Sequence, residues 1–183
     1  MGDQIGHGGI LSSALSRWRI SRVLPYLSGN VLDFGCGRGN LADFVPSSRY
    51  LGVDFDDESL QIARSSHPQQ RFDRCIGTKC IFDSIALLAV IEHIERPLEL
   101  LDDFDSVLKE GGSILLTTPH PRSDRIHGFG AHLGLFSKEA HEQHVQLYDH
   151  ESLSRLVAKS KFRIAAFQRF MFGINQLFIL KRK

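Results

Sequence analysis

The sequence predicts an α/β fold: a Rossmann-like, doubly wound sheet, mostly parallel, with an antiparallel strand at its C-terminal end. Three observations predict it. Short apolar runs alternate with segments of helical spacing, which gives a mostly parallel sheet with helices on both faces. The first run, Val31-Leu-Asp-Phe34, leads straight into the glycine loop Gly35-Cys-Gly-Arg-Gly39. The last two runs are separated only by Gly173-Ile174, too little chain for a parallel crossover, so they must be antiparallel neighbours.

Leu11, Ala14, Leu15, Trp18, Val23, Leu24 and Leu27 recur with helical spacing, and Pro25 kinks or closes that helix. Arg17, Arg19 and Arg22 are expected on its other, solvated face. After strand Val31–Phe34 a helix is expected from Leu41 to Val45, ending before Pro46. Tyr50–Val53 is the second strand, and Asp57 is expected to N-cap a helix from Glu58 to Ser65. A third strand around Gln70 to Cys75 is weakly marked, whereas Ile81–Leu88 is a continuous run suited to a strand covered on both faces. Pro97 starts a helix carrying Leu98, Leu101, Phe104, Val107 and Leu108, expected to stop at Gly111-Gly112. Ser113–Thr118 is the fifth strand, His150 to Lys159 a helix, and Phe162 to Phe172 and Asn175 to Leu180 the closing strands. The whole, 1–183, is expected to form one domain: an N-terminal helix segment (1–27) and a core (28–183). Within it, 119–149 is long, rich in histidine and poor in periodicity, and is expected to act as a lid.

Composition narrows the class. Charged residues make up 23% of the chain and hydrophobic ones 42%, which is globular rather than disordered. A formal charge of +1 offers no general footprint for nucleic acid. The three cysteines, Cys36, Cys75 and Cys80, form neither a disulfide framework nor paired zinc knuckles. Apolar runs break well short of the roughly 20 residues that span a bilayer, and the first residues carry no signal-peptide pattern. A soluble cytoplasmic protein with no membrane partner is expected; nothing in the chain addresses its oligomeric state.

The glycine loop carries the first functional argument. Asp33-x-Gly35-x-Gly37-x-Gly39 puts small residues where strand turns sharply into helix and where backbone can touch a ligand. A helix beginning near Gly39 would point N–H groups at a carboxylate or phosphate. Asp54, ending the second strand, can accept hydrogen bonds from both hydroxyls of a ribose, and Phe55 can pack on an adenine. A dinucleotide site would share these features, but its GxGxxG pattern needs glycine or alanine where this chain has Asn40. Asp33 would also repel a pyrophosphate and suit an ammonium. With the antiparallel C-terminal pair, these points favour S-adenosylmethionine over a nicotinamide dinucleotide.

Val31-Leu-Asp-Phe-Gly-Cys-Gly-Arg-Gly39 resembles motif I of class I methyltransferases. So do Asp54 after the second strand, Phe82-Asp83 opening the fourth, Val90-Ile-Glu-His93 after it, and Leu108-Lys-Glu-Gly-Gly-Ser-Ile114 before the fifth. The resemblance runs over roughly residues 15 to 182. It implies that Asp33, Gly35, Cys36, Gly37 and Gly39 hold the methionine end of S-adenosylmethionine. It implies Asp54 for the ribose, Phe55 for the adenine, and Leu88 and Ala89 for the wall of the cleft. The chain departs from the pattern in its short segment before the fourth strand, which leaves Asp73 as a candidate adenine-side acid, and in Lys161-Phe162, where Gly-Phe is common. A substrate domain of substantial length is also missing.

Methyl transfer depends mainly on alignment, and a base is needed only for a poor nucleophile such as a hydroxyl or an ammonium. Nine histidines are many for this length, and His120, His127, His132, His141 and His144 crowd the segment after the fifth strand. His144, shortly before the last helix, is the first candidate for a base, and His120 the second. Relatives that use a metal carry Glu-x-x-Glu-His; here Glu92-His93 match its end but Ala89 replaces the first glutamate, so no metal is expected. The acceptor is expected to be a small molecule. Two alternatives stay open: an RNA or protein acceptor, encouraged only by Arg122, Arg125 and Lys138, and a nicotinamide-dependent oxidoreductase or a non-catalytic nucleotide-binding module on a related fold.

Overall fold

A computed structural model describes residues 10–77, 80–122 and 146–183. Its helices are α1 (Ile10–Val23), α2 (Asp57–Ser66), α3 (Pro97–Val107) and α4 (His150–Ala158). Its strands are β1 (Val31–Phe34), β2 (Tyr50–Val53), β3 (Arg71–Asp73), β4 (Phe82–Leu88), β5 (Leu108–Pro119), β6 (Phe162–Phe170) and β7 (Asn175–Arg182). They form one sheet in the order β3-β2-β1-β4-β5-β7-β6. The pairings from β3 through β5 are parallel, whereas β7 runs antiparallel to both β5 and β6. The Rossmann-like fold read from the sequence is therefore present, with β7 as the antiparallel strand at its C-terminal end.

Side-chain alternation along the strands divides the core. Leu32, Ile85, Leu87, Ile114, Leu116 and Phe178 face the side covered by α3 (Leu101, Phe104) and α4 (Leu153, Val157). Val31 and Ala86 face Ile20 of α1 and Leu60 and Ala63 of α2, while Leu115, Leu177 and Ile179 gather around Val23 of α1. Helices on both faces leave the strand ends as the place where a ligand reaches the sheet. Strand order reverses beside β1 and β4, and a crevice at such a point is where α/β sheets bind ligands.

Four expectations about the elements need correction. No helix runs from Leu41 to Val45; a single 3-10 turn, Ala42–Phe44, stands there, because Gly39 is left-handed (φ 82°) and Pro46 follows too soon. The carboxylate of Asp56, not Asp57, caps α2 by accepting the Ser59 N–H at 3.0 Å. Helix α3 ends at Val107, and β5 begins at once with Leu108 instead of after Gly111-Gly112. Its register to β4 shifts between Phe82↔Leu108 and Ser84↔Ser113, so the extra residues form an irregularity within the strand. Finally, Arg19 and Arg22 do not ride on a solvated face: both are half-buried, and Arg22 lies 6.0 Å from the Phe170 ring centroid.

Candidate active site

The chain leaving β1 is bent across the end of β2, where Gly35 N–H and Cys36 N–H both donate to Val53 O at 2.8 and 3.0 Å. Three glycines then take left-handed backbone, for different reasons. A Cβ on Gly35 (φ 72°) would lie 2.5 Å from Val90 Cγ2, so the loop is pressed against the segment after β4. On Gly39 (φ 82°) it would meet His67 and Phe72, each at 2.9 Å. On Gly37 (φ 51°) it would meet nothing within 4 Å, so this side of the loop faces open space. The expected helix dipole behind the loop is missing with its helix, which leaves the loop's own backbone as the electropositive surface.

The two acids of the motif behave differently. Asp54 is half-buried; its Oδ2 accepts the Gly37 N–H at 2.7 Å and its Oδ1 the Asp56 N–H at 3.0 Å. Those bonds aim the carboxylate along the loop, and each oxygen keeps acceptor capacity for a hydroxyl. Asp33 is buried beneath the loop, where its Oδ2 accepts the Tyr50 hydroxyl at 2.7 Å. Desolvation pushes its carboxyl up to about 7; the Tyr50 bond opposes this and nearby Asp54 adds to it. Cys36 is buried beside both acids, and burial raises its thiol far above the range of a nucleophile.

Around the loop stand the other residues read from the sequence. Phe55 is 66% exposed and meets Phe34 edge-on at 6.1 Å between ring centroids, so most of its ring is open to a ligand. Leu88 is half-buried at the end of β4. Ala89 follows with φ 61°, a strained conformation for an alanine, and its N–H donates to Thr117 O at 2.9 Å. Asp73 lies one strand further out, its Oδ1 accepting the Arg74 N–H at 2.9 Å. A loop with a vacant face at Gly37, a carboxylate aimed along it and an exposed aromatic ring fits the adenosine and amino-acid ends of S-adenosylmethionine.

A second group of polar residues lies at the ends of β4 and β5. His120 is buried, and its Nδ1 accepts the Arg122 N–H at 3.1 Å. That bond places the ring proton on Nε2 and leaves the neutral imidazole no free lone pair for a second proton. Desolvation lowers its pKa, and the charges of Arg169 and Arg122 lower it further, against Asp149. His144, together with His127, His132, His141, Arg125 and Lys138, lies outside the described residues.

Sequence reasoning missed that Arg19 and Glu92 lie close enough to attract each other. Glu92, in the 3-10 turn after β4, is only 1% exposed and accepts the Thr118 hydroxyl at 3.1 Å. Arg19 Nε donates to Asn175 Oδ1 at 3.0 Å. Burial works against both charges, raising the Glu92 pKa and lowering that of Arg19, while their mutual attraction opposes both shifts. A signal existed: Arg19 falls midway between Leu15 and Val23 at four-residue spacing, on the apolar stripe rather than opposite it.

The family model described as "Methyltransferase domain" matches residues 13–166. The chain belongs to this methyltransferase family, and its fold is that of the class I enzymes. Among relatives, the mitochondrial ubiquinone biosynthesis O-methyltransferase of Dictyostelium discoideum is 28% identical over 117 residues, covering 52% of this chain and 36% of that protein. The ubiquinone biosynthesis O-methyltransferase of Idiomarina loihiensis is 30% identical over 100 residues, covering 48% of this chain and 41% of that protein. The chain thus spans less than half the length of these relatives. A SAM-dependent methyltransferase from Archaeoglobus fulgidus superposes with a TM-score of 0.73 at 17% identity, covering 93% of this chain and 95% of the other. The magnesium protoporphyrin IX methyltransferase of Synechocystis, solved with bound S-adenosylhomocysteine, gives 0.70 at 15% identity, covering 100% and 90%.

Proposed function

We propose that this chain binds S-adenosylmethionine and transfers its methyl group to a small-molecule acceptor. The observation that carries the reading is the glycine loop: backbone turned left-handed at Gly37 beside open space, and tied by its N–H to the Asp54 carboxylate. Asp54 would hold the ribose and Phe55 the adenine. The loop from Gly35 to Gly39, with Cys36 as part of its backbone and Asp33 beneath it, would hold the methionine end, with Leu88 and Ala89 as the wall. The cofactor supplies an activated methyl group; the protein supplies alignment and exclusion of water. A small acceptor is supported by relatives named for ubiquinone biosynthesis and by a structural neighbour named for magnesium protoporphyrin IX.

This reading treats the chain as one domain working in the cytoplasm, with the segment 119–149 covering the acceptor. No helix among the described residues is long and apolar enough to cross a membrane. His120 would donate from Nε2, and His144 would take a proton. Calorimetry with S-adenosylmethionine, S-adenosylhomocysteine and NAD tests the core of the reading: the first two bind and NAD does not. Asp54→Ala weakens that binding by roughly 1–3 kcal/mol, the scale of lost charge-assisted hydrogen bonds. NAD binding alone overturns the reading, and unchanged affinity in a folded Asp54→Ala variant removes Asp54 from the site.

A further inference from the structure

Tyr50 is the first residue of β2, yet its hydroxyl donates to Asp33 Oδ2, near the far end of β1, at 2.7 Å. Register makes this a reach along the sheet rather than a contact between opposed residues. Asp33 stands beside Gly52, and Tyr50 beside Val31, two positions back on the same face. The ring therefore lies along its own strand to bring the hydroxyl level with the acid. Gly52 makes the room: a Cβ there would come within 2.9 Å of the Tyr50 hydroxyl oxygen and 2.6 Å of Phe72 Cδ1. Its φ is not left-handed, so this glycine answers to space and not to backbone conformation. Phe72, beside Gly52 on β3, meets the Tyr50 ring edge-on at 5.6 Å between centroids. Tyr50 and Asp33 are both buried. Three strands thus cooperate to build one hydrogen bond to the acid of the glycine-loop motif.

We propose that Tyr50 is a positioning residue for the methionine end of the cofactor, its hydroxyl holding the Asp33 carboxylate where its charge meets the ligand's ammonium. This deepens the function proposed above and rests on it. A neutral donor is what the position needs. An arginine or lysine would neutralise Asp33 and cancel its pull on an ammonium, whereas a hydroxyl fixes one oxygen and leaves the charge. Burial and Asp33 both raise the Tyr50 pKa, so the phenol keeps its proton and stays a donor. The bond also governs how much of the charge is present. Desolvation pushes the Asp33 carboxyl up to about 7 and Asp54, just past β2, adds to this, while the Tyr50 bond opposes it. Cys36 faces Asp33 from the loop; burial and the two acids keep its thiol protonated, against Arg64 of α2. Removing the hydroxyl therefore moves Asp33 toward its protonated form, which does not attract an ammonium.

Calorimetry on the full chain with two ligands, from about pH 6 to about pH 8.5, tests the assignment. S-adenosylhomocysteine carries the ammonium; 5′-methylthioadenosine has the same adenosine and a thioether but no amino-acid end. Tyr50→Phe should weaken S-adenosylhomocysteine about tenfold near neutral pH, the scale of one hydrogen bond to a charged group, and methylthioadenosine by less than about twofold. The deficit should shrink toward the top of the pH range, where Asp33 ionises without help. Asp33→Asn should also weaken S-adenosylhomocysteine, and in that background Tyr50→Phe should add no further loss. The double variant leaves no buried charge without its donor, so it supplies the comparison if Tyr50→Phe alone melts below the assay temperature. Equal weakening of both ligands by Tyr50→Phe, or of neither, overturns the proposal and leaves the cofactor reading standing. So does an Asp33→Asn variant with unchanged affinity, or a further loss in the double variant. If wild-type protein does not bind S-adenosylhomocysteine, both fall.

Discussion

Gly35 and Gly37 share a left-handed backbone, yet they answer to different neighbours. Alanine at Gly35 would drive its Cβ to 2.5 Å from Val90, a clash between the loop and the segment after β4 on top of the backbone strain. Alanine at Gly37 would meet only the strain, roughly 1–2 kcal/mol, because nothing stands within 4 Å. Gly35→Ala should therefore lower the melting temperature the more, while Gly37→Ala stays folded and loses affinity for S-adenosylhomocysteine because its Cβ fills the ligand's space. Thermal melts and calorimetry on both variants check this; equal affinity of Gly37→Ala and wild type would move the ligand away from the loop. The sequence shows both glycines and the Asp-x-Gly-x-Gly spacing but not this division, since it depends on Val90, distant in the chain.

At the scale of elements, Arg182 and Lys161 tie the C-terminal strands to the end of α3. Arg182 of β7 donates from Nε to Asp105 Oδ1 and from Nη2 to the carbonyls of Asp105 and Leu108, where α3 passes into β5. Lys161, just ahead of β6, reaches the other Asp105 oxygen at 2.8 Å. These bonds satisfy carbonyls at a helix end that lacks a glycine cap. By contrast, Arg155 and Glu151 on α4 form an exposed pair at 3.6 Å. Arg182→Met should cost about 1–3 kcal/mol in urea unfolding, and Arg155→Met no more than about 0.5 kcal/mol. Similar losses for the two would show that the Arg182 contacts add nothing to strand docking.

For the whole molecule, acids with shifted pKa values set opposite pH dependences. Asp83, Asp105 and Asp149 have depressed pKa values, through the Asn30 backbone N–H, Lys161 and Arg182, and Ser152 respectively. Their stabilisation is present above the unfolded-state pKa and fades as pH falls through the folded one. Asp33 works the other way. Its folded pKa of about 7 lies above the ordinary value of 3.8, so the folded state holds a proton that the unfolded chain has released. Its contribution therefore turns unfavourable as pH rises from about 4 to about 7, and stays so above. Wild-type protein without ligand should lose stability between about pH 5 and pH 8, and Asp33→Asn should lose less of it. Urea titrations at both pH values decide the matter; parallel pH dependences would mean that Asp33 is solvated in the folded state.

The sequence by itself determined the alternation of strands and helices, the antiparallel closing pair, the glycine loop and the acid that follows β2. Each of these is local: an apolar run, a two-residue link, a φ that favours glycine. It misread the segment after the loop, where an apolar pattern suggested a helix but a left-handed Gly39 and an early Pro46 leave room for one 3-10 turn. It placed Arg19 in solvent, because charge alone says nothing about which buried acid waits across the fold. Only the tertiary structure decided that Asp33 lies under the loop against Tyr50, that His120 has Nδ1 engaged, and that Arg19 faces Glu92. The physical reason is the same in each case. A side chain's protonation and partners depend on burial and on groups from other strands, and those distances are fixed only when the sheet closes.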